Sequence, residues 1–531
     1  MRIKTLLLAA SMFAAPAMAA TPIVGVKNVI LIINDGGGAT TYEATRLYLG
    51  KPLVTDGAQF KKIYVSTYPL REDRLPNSVY STEPTFVNGV LQDNNTPLTD
   101  NQQAAVVYSS ARFWDTTPVA GNSLATGYSA YPAGFAGYEW SRFAHPDSGN
   151  TASSLASGNR SYNNSINVDG SGDPQITITD IIDTARSVGK TTGVVTNVQF
   201  GDATPAALGG AHNIARANRV AIAAEMFSSG KLDVIGGTGN PDFDDAGLPR
   251  AVPSYTEISQ QLWLDLKNKT NLSGLNGLKW PLLQDRTQIE NLADKKVKPP
   301  VRVAMIIKGT NSAQYNRPGV AINPTFHEPY VAGTTLPACT TPGLLPATAC
   351  SQPFKNNVPS QEKLTIAALN VLAAQGKGFY LMSEAGAYDR AEHGNSTGRM
   401  IEEAIDSNNT VQAVIDWVNR ADTAATWENT LLIVTADHDH LLYGPDGATV
   451  PFQPLLNKGP GLTPGNRWFG PNHGTGLVPL FAYGKGADEI AALATQTDTY
   501  TDGSGRTFGF GLYTEQPALG SVLKATLGQA N

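Results

Sequence analysis

Short apolar runs of strand length alternate along this chain with stretches of helical spacing. Val29–Ile33 (VILII) is apolar throughout and ends in Asn34-Asp35-Gly36-Gly37-Gly38, so it reads as a buried strand closed by a tight turn. Thr191–Thr196, Val301–Ile307, Phe379–Met382, Leu431–Val434 and Leu477–Tyr483 are further runs of this kind. Between them, Thr177–Val188 carries Ile178, Ile181, Ile182 and Ala185 on one helical face, and Gln361–Gln375 and Arg399–Asn419 also predict helices. Strands that are apolar throughout, rather than alternating, are buried on both faces. Joined by helices, they imply an α/β fold: a central, mostly parallel sheet with helices on both faces. Segments 51–110, 236–300 and 309–360 have weak periodicity and many turn residues. They are expected as long inserted loops over the strand ends of a single domain spanning 20–531.

Composition narrows the class. With 531 residues, 41% hydrophobic and 16% charged, the chain is not a disordered protein. The net charge is -6, with no basic run, which argues against a nucleic-acid-binding surface. Arg2 and Lys4, the apolar stretch Thr5–Ala15 and the small-x-small Ala17-Met18-Ala19 read as an export signal over residues 1–19. The protein is therefore expected to be periplasmic or secreted, and removing two cations takes the charge to 37 − 45 = -8. No later apolar run is long enough to span a bilayer. In an oxidising compartment Cys339 and Cys350 would favour a bond with each other, the alternative being two free thiols.

In sheets of this class, ligands bind beyond the C-terminal strand ends. Asp35 follows one predicted strand, Glu384 a second and Asp437-His438 a third. Asp389 and His393 are four residues apart, a spacing that lets both converge from one helical turn. His473 lies in Asn-His-Gly-Thr-Gly just before the last strand. Mixed His/Asp ligation suits zinc, and Asp, Glu and Thr oxygens suit magnesium. Each signal is weak alone, since a strand-end Asp is usually a cap or turn residue and an Asp-x-x-x-His pair a solvated helix face. Their shared placement at the ends of one sheet is what gives them weight.

Five blocks carry a family resemblance: KNVILIINDGGG (27–38), GDATPAAL (201–208), FYLMSEAGAYDRAEH (379–393), LLIVTADHDH (431–440) and NHGTGLVPLFAYG (472–484). In kind and order they resemble the alkaline phosphatase superfamily. The resemblance implies that Asp389, His393 and His473 hold one zinc ion, and Asp35, Asp437 and His438 a second. It also implies that Asp35 is shared with a magnesium ion held by Thr204 and Glu384, with Asp202 reaching it through water. Asp202 or Thr204 reads equally as a helix cap ahead of Pro205. His440 reads as lying behind the ligands or exposed, His212 as a packed histidine, and His145 and His327 as loop residues.

The same resemblance implies a nucleophilic hydroxyl at a helix N-terminus, ten residues before the Gly of a Thr-Gly pair. Counted back from Gly127 this is Thr117, followed by Pro118, so that Thr117 also reads as a natural helix N-cap. Ser123, in Asn122-Ser123, and Thr116 are the competitors. A phosphate-clamping arginine is expected after the DATP block, as Arg216 or alternatively Arg219; Arg390 beside Asp389 has no settled role. The implied activity is hydrolysis of small phosphate esters, with inorganic phosphate as product, through a phosphothreonine or phosphoserine intermediate. Two zinc ions and one magnesium ion would assist it. A phosphodiesterase of the same superfamily is the alternative, and a non-catalytic secreted metal-binding protein a more distant one. The Cys/Ser-x-Pro-x-Arg pattern of sulfatases is missing, since Thr-Pro-Val-Ala stands at 117–120. The resemblance leaves room for a homodimer.

Overall fold

The computed structural model describes residues 20–70, 85–87, 90–92, 106–118, 135–168, 178–268, 275–317, 354–444 and 450–530. The export signal, Ser123, Gly127, His327, Cys339 and Cys350 lie outside the described residues. The strands are β1 (Asn28–Asn34), β2 (Lys61–Ser66), β3 (Thr85–Val87), β4 (Val90–Gln92), β5 (Thr191–Gln199), β6 (Val234–Thr238), β7 (Leu282–Leu283) and β8 (Val303–Ile306). They continue with β9 (Phe379–Ala385), β10 (Thr430–Thr435), β11 (Asp439–Tyr443), β12 (Arg467–Gly474), β13 (Val478–Gly484), β14 (Gln496–Thr501) and β15 (Thr507–Glu515).

Eleven of these form one sheet in the order β14-β15-β2-β13-β10-β1-β9-β5-β6-β8-β7. From β10 to β7 every neighbouring pair is parallel. Antiparallel pairing appears only towards the other edge, at β10–β13, β13–β2 and β14–β15. The mostly parallel sheet expected from the apolar runs is therefore present. Its central strand shows why those runs are continuous. Val29, Leu31 and Ile33 pack into one core, with helices Ser148–Ser157, Ala203–Leu208 and Gln516–Leu527 on that side. Ile30 and Ile32 pack into another, beneath helices Gln361–Ala373 and Thr397–Val418. Both faces need apolar side chains, so no polar alternation is left.

The structure differs from the sequence reading at three places. The helix expected over Thr177–Val188 is confined to Ile181–Ser187, because Asp180 caps it by accepting the N–H groups of Ile182 and Asp183. The strand expected to stop at Met382 runs on to Ala385, so Glu384 is part of β9 rather than beyond it. The segment 51–110 contributes β2 to the main sheet. Among the described residues no helix is long and apolar enough to cross a membrane.

Candidate active site

Register brings the acidic groups together. Ile33 of β1 lies opposite Glu384 of β9 on one side and Thr435 of β10 on the other, and Thr196 of β5 also faces Glu384. Asp35, Glu384 and Asp437 therefore emerge at one level of adjacent strands. The turn after β1 is held by the Gly37 N–H donating to the Asn34 carbonyl (2.8 Å) and the Gly36 N–H donating to Asp437 Oδ1 (3.1 Å). Gly36 has φ +79°, and a Cβ there would run into the Glu392 carboxylate.

Two ligand clusters meet at this level. In the first, Asp389, His393, His440 and His473 place candidate ligand atoms within 4.8 Å of one another. His473 donates Nδ1–H to the Pro146 carbonyl (2.8 Å), and His393 Nδ1 bonds the Pro471 carbonyl. The two Nε2 atoms face each other at 3.0 Å, and against the cost of burial Asp389 raises the His473 imidazole above its ordinary value. Two imidazole lone pairs in that position repel unless a positive charge lies between them, which is how a cation site is built from histidines. Asp389 lies 3.3 Å from each Nε2. Burial opposes ionisation of Asp389, but the surrounding His393, His440 and His473 hold its carboxyl well below the usual range. His440, expected behind the ligands or exposed, is buried and bonds Asp389 at 2.8 Å.

In the second cluster, His438 Nε2 sits 3.2 Å from Asp35 Oδ1 and 3.3 Å from Asp437 Oδ2. Burial, aided by the neighbouring histidines, lowers His438 to about 4, so the ring is neutral and its lone pair available. The His438 and His473 rings stack with centroids 3.6 Å apart, which makes the two clusters adjacent. An oxygen-only set lies alongside. Asp35 Oδ1, Thr204 Oγ and Glu384 Oε2 are each buried with no hydrogen-bond partner. Burial and the charges of Asp437, Asp389 and Glu384 push Asp35 well up; burial, then Asp202 and Asp437, pushes Glu384 up to about 8. Orphaned oxygens among like charges suit a hard dication. Asp202 is the cap of helix Ala203–Leu208, accepting the Ala203 N–H, which bears out the helix-cap reading of the DATP block.

Among the described residues, hydroxyls other than that of Thr117 lie beside these clusters. Thr117 is exposed; its N–H donates to Asp115 Oδ1 and its carbonyl accepts from Ala136. No helix starts there among the described residues, because Pro118 pairs with Phe135 in an isolated bridge. Thr116 turns its hydroxyl to Asp502. Ser148 instead opens helix Ser148–Ser157, with its Oγ 3.3 Å from His438 Nε2. Asp147 caps that helix through the Asn150 N–H, and the Thr151 hydroxyl bonds Asp437 Oδ2 (3.3 Å). The helix closes on Gly158 in the left-handed conformation (φ 77°), and Gly158 follows Ser148 by ten residues. The ten-residue spacing counted back from Gly127 to Thr117 also holds from Gly158, where it reaches Ser148 in Asp147-Ser148.

Arg216 reaches the same place. Its Nη1 donates to Asp147 Oδ2 and its Nη2 to Asp202 Oδ1, both at 3.0 Å. Arg219 and Arg390 also hold Asp202, at 2.6 and 2.7 Å, but Arg216 alone of the three has a described contact with the residue preceding Ser148. Against the cost of burial, these three cations hold Asp202 well below the usual carboxylate range. Arg390 also bonds the Gln199 side-chain oxygen.

The family model for alkaline phosphatase matches residues 136–458, more than half of the chain. This chain belongs to the alkaline phosphatase family. As a member it is a metal-dependent phosphoester hydrolase. It is 24% identical over 367 residues to the alkaline phosphatase of Escherichia coli (strain K12), covering 67% of this chain and 72% of that protein. It is also 24% identical over 370 residues to alkaline phosphatase H of Pseudomonas aeruginosa (strain UCBPP-PA14), covering 67% and 71%. Solved alkaline phosphatases share its fold. The cold-active enzyme of a Shewanella species aligns with a TM-score of 0.55 at 18% identity, covering 94% of this chain and 100% of that one. The enzyme of the Antarctic bacterium TAB5 aligns with a TM-score of 0.53 at 16% identity, covering 95% and 99%.

Proposed function

We propose that this chain hydrolyses phosphate monoesters through a phosphoserine intermediate on Ser148. The observation that carries the reading is the Ser148 hydroxyl, at the start of a ten-residue helix, 3.3 Å from His438 and beside both ligand clusters. Asp389, His393 and His473 would hold one zinc ion; Asp35, Asp437 and His438 would hold a second; Asp35, Thr204 and Glu384, with Asp202 nearby, would hold magnesium. When bound, these ions supply the positive charge that makes a serine hydroxyl acidic and stabilises a departing oxygen.

The chain's own residues do the rest. Ser148 Oγ attacks phosphorus in line, forming the Ser–O–P bond as the ester oxygen leaves with its electron pair and takes up the proton released by the Ser148 hydroxyl. Water then attacks the phosphoserine, releasing inorganic phosphate and restoring the hydroxyl. The helix start favours the anionic phosphate through its backbone dipoles. Arg216, anchored on Asp147 and Asp202 by two of its five N–H donors, keeps three for the phosphate oxygens.

The test is chemical capture. Substrate is added at mildly acidic pH, the reaction is quenched, and the peptides are mapped by mass spectrometry. Phosphate on Ser148 is expected; phosphate on Thr117 or Ser123, or on no residue, overturns the assignment. Comparing kcat/KM for a monoester and a matching diester separates the proposed activity from a phosphodiesterase. Arg216→Lys is expected to lower kcat/KM about 10- to 100-fold, the worth of a charge-assisted hydrogen-bond pair. The loss should be regained in neither zinc nor magnesium excess. An unchanged kcat/KM would move the clamp to Arg219.

A further inference from the structure

A third group of ligand-type side chains lies away from these clusters. Helix Ala203–Leu208, capped by Asp202, ends four residues before His212. His212 Nδ1 bonds Glu225 Oε1 at 2.9 Å, while the His212 backbone N–H donates to Glu225 Oε2 at 2.8 Å. A carboxylate on Nδ1 holds a proton on that nitrogen and turns Nε2 inward. Nε2 faces two oxygens, the Ile178 carbonyl at 3.3 Å and Asp180 Oδ2 at 3.6 Å, and against the cost of burial Glu225 and Asp180 raise the imidazole above its ordinary value, so a proton holds the place that a cation would take.

Asp180 is the unexplained member. Its Oδ1 caps helix Ile181–Ser187, accepting the N–H groups of Ile182 (2.7 Å) and Asp183 (2.9 Å). Its Oδ2 is buried, has no hydrogen-bond partner and points at His212. Capping accounts for one oxygen and leaves the other with an uncompensated desolvation cost. Asp183 adds a second carboxylate, and the ligand atoms of Asp180, Asp183 and His212 lie within 4.8 Å of one another. A backed imidazole, a buried orphan carboxylate oxygen, a second carboxylate and a carbonyl oxygen make a mixed nitrogen–oxygen donor set.

We propose that Asp180, Asp183 and His212, with Glu225 behind the imidazole, bind a divalent cation of the zinc, cobalt or manganese class, separate from the catalytic ions. Mixed imidazole and carboxylate donors select that class over calcium. The ion would pin the start of one helix, the turn after a second, and helix Arg219–Ser228, which carries Glu225. Its role is therefore structural. Lys231, whose Nζ lies 2.7 Å from Asp183 Oδ1, is the competing cation and would share or yield that contact.

The probe is zinc alone. Crystals of the full chain grown with zinc are expected to show, between His212 Nε2 and Asp180 Oδ2, an anomalous peak that is present above the zinc edge and lost below it. In solution, His212→Gln and Asp180→Asn should each carry one zinc fewer per chain than the parent. They should also lose the rise in Tm that zinc gives the parent beyond catalytic saturation, with turnover in excess zinc and magnesium within about twofold. Anomalous peaks at the catalytic clusters only, or equal zinc content in parent and variants, would overturn the proposal. The parent crystals decide it even where a variant fails to fold.

Discussion

Ser148→Ala is expected to lower kcat by about 10⁴-fold or more, whereas Thr117→Ala leaves kcat/KM within about twofold. The difference follows from position. Ser148 is buried at a helix start, 3.3 Å from a histidine that also touches Asp35 and Asp437. Thr117 is exposed and bonds its neighbours Asp115 and Ala136. The alanine variant keeps its fold, because the helix is capped by Asp147 rather than by Ser148. A loss of activity with unchanged circular dichroism and unchanged metal content would therefore report chemistry. Should Ser148→Ala turn over normally while Ser123→Ala is inactive, the nucleophile belongs to the 110–127 stretch after all.

The central sheet was legible because burial on both faces leaves an unmistakable mark: seven consecutive buried residues in β1, and the same in β9. The acidic groups Asp35, Glu384 and Asp437 were legible because each follows or ends such a run. Helix Ser148–Ser157 was not, and its composition explains why. SGNTASSLAS has only the short apolar stripe Ala152, Leu155 and Ala156 and otherwise reads as a loop by residue type. It is helical because all ten residues are buried, and the hydroxyls of Ser153, Ser154 and Ser157 are satisfied there by the carbonyls four residues earlier. A Cβ on Gly149 would lie 2.8 Å from the Ser165 carbonyl oxygen. Close packing thus overrides weak helix propensity. The strands β2, β14 and β15 escaped for the opposite reason. Nearer the sheet edge their burial is broken, as in Gln496–Thr501, where Asp498 is the one buried residue. A reading tuned to continuous apolar runs passes over them.

Stripping the metal ions with a chelator is expected to abolish activity and to leave a protein that becomes less stable as pH rises from about 6.5 to 8. In the ion-free protein, burial pushes Glu384 up to about 8 and Asp439 up to about 7, while burial and neighbouring carboxylates push Asp35 well up. A carboxyl raised in the folded state holds a proton that the unfolded chain has released. Its contribution is full below the unfolded value, about 4, and is lost as pH rises through the folded value. His438, lowered to about 4 by burial, acts in the other sense: its contribution is present above about 6.5 and lost as pH falls. Above about 6.5 the histidine slope is spent and the carboxylate slope remains. Bound dications reverse the sign, since the ionised carboxylate is then the ligand and each lost proton strengthens binding. The gain in Tm on restoring zinc and magnesium should therefore be larger at pH 8 than at pH 6.5, and activity should return with it. A chelated protein whose Tm is flat across that interval, or one that still turns over, would mean that Asp35, Glu384 and Asp437 are not gathered around cations.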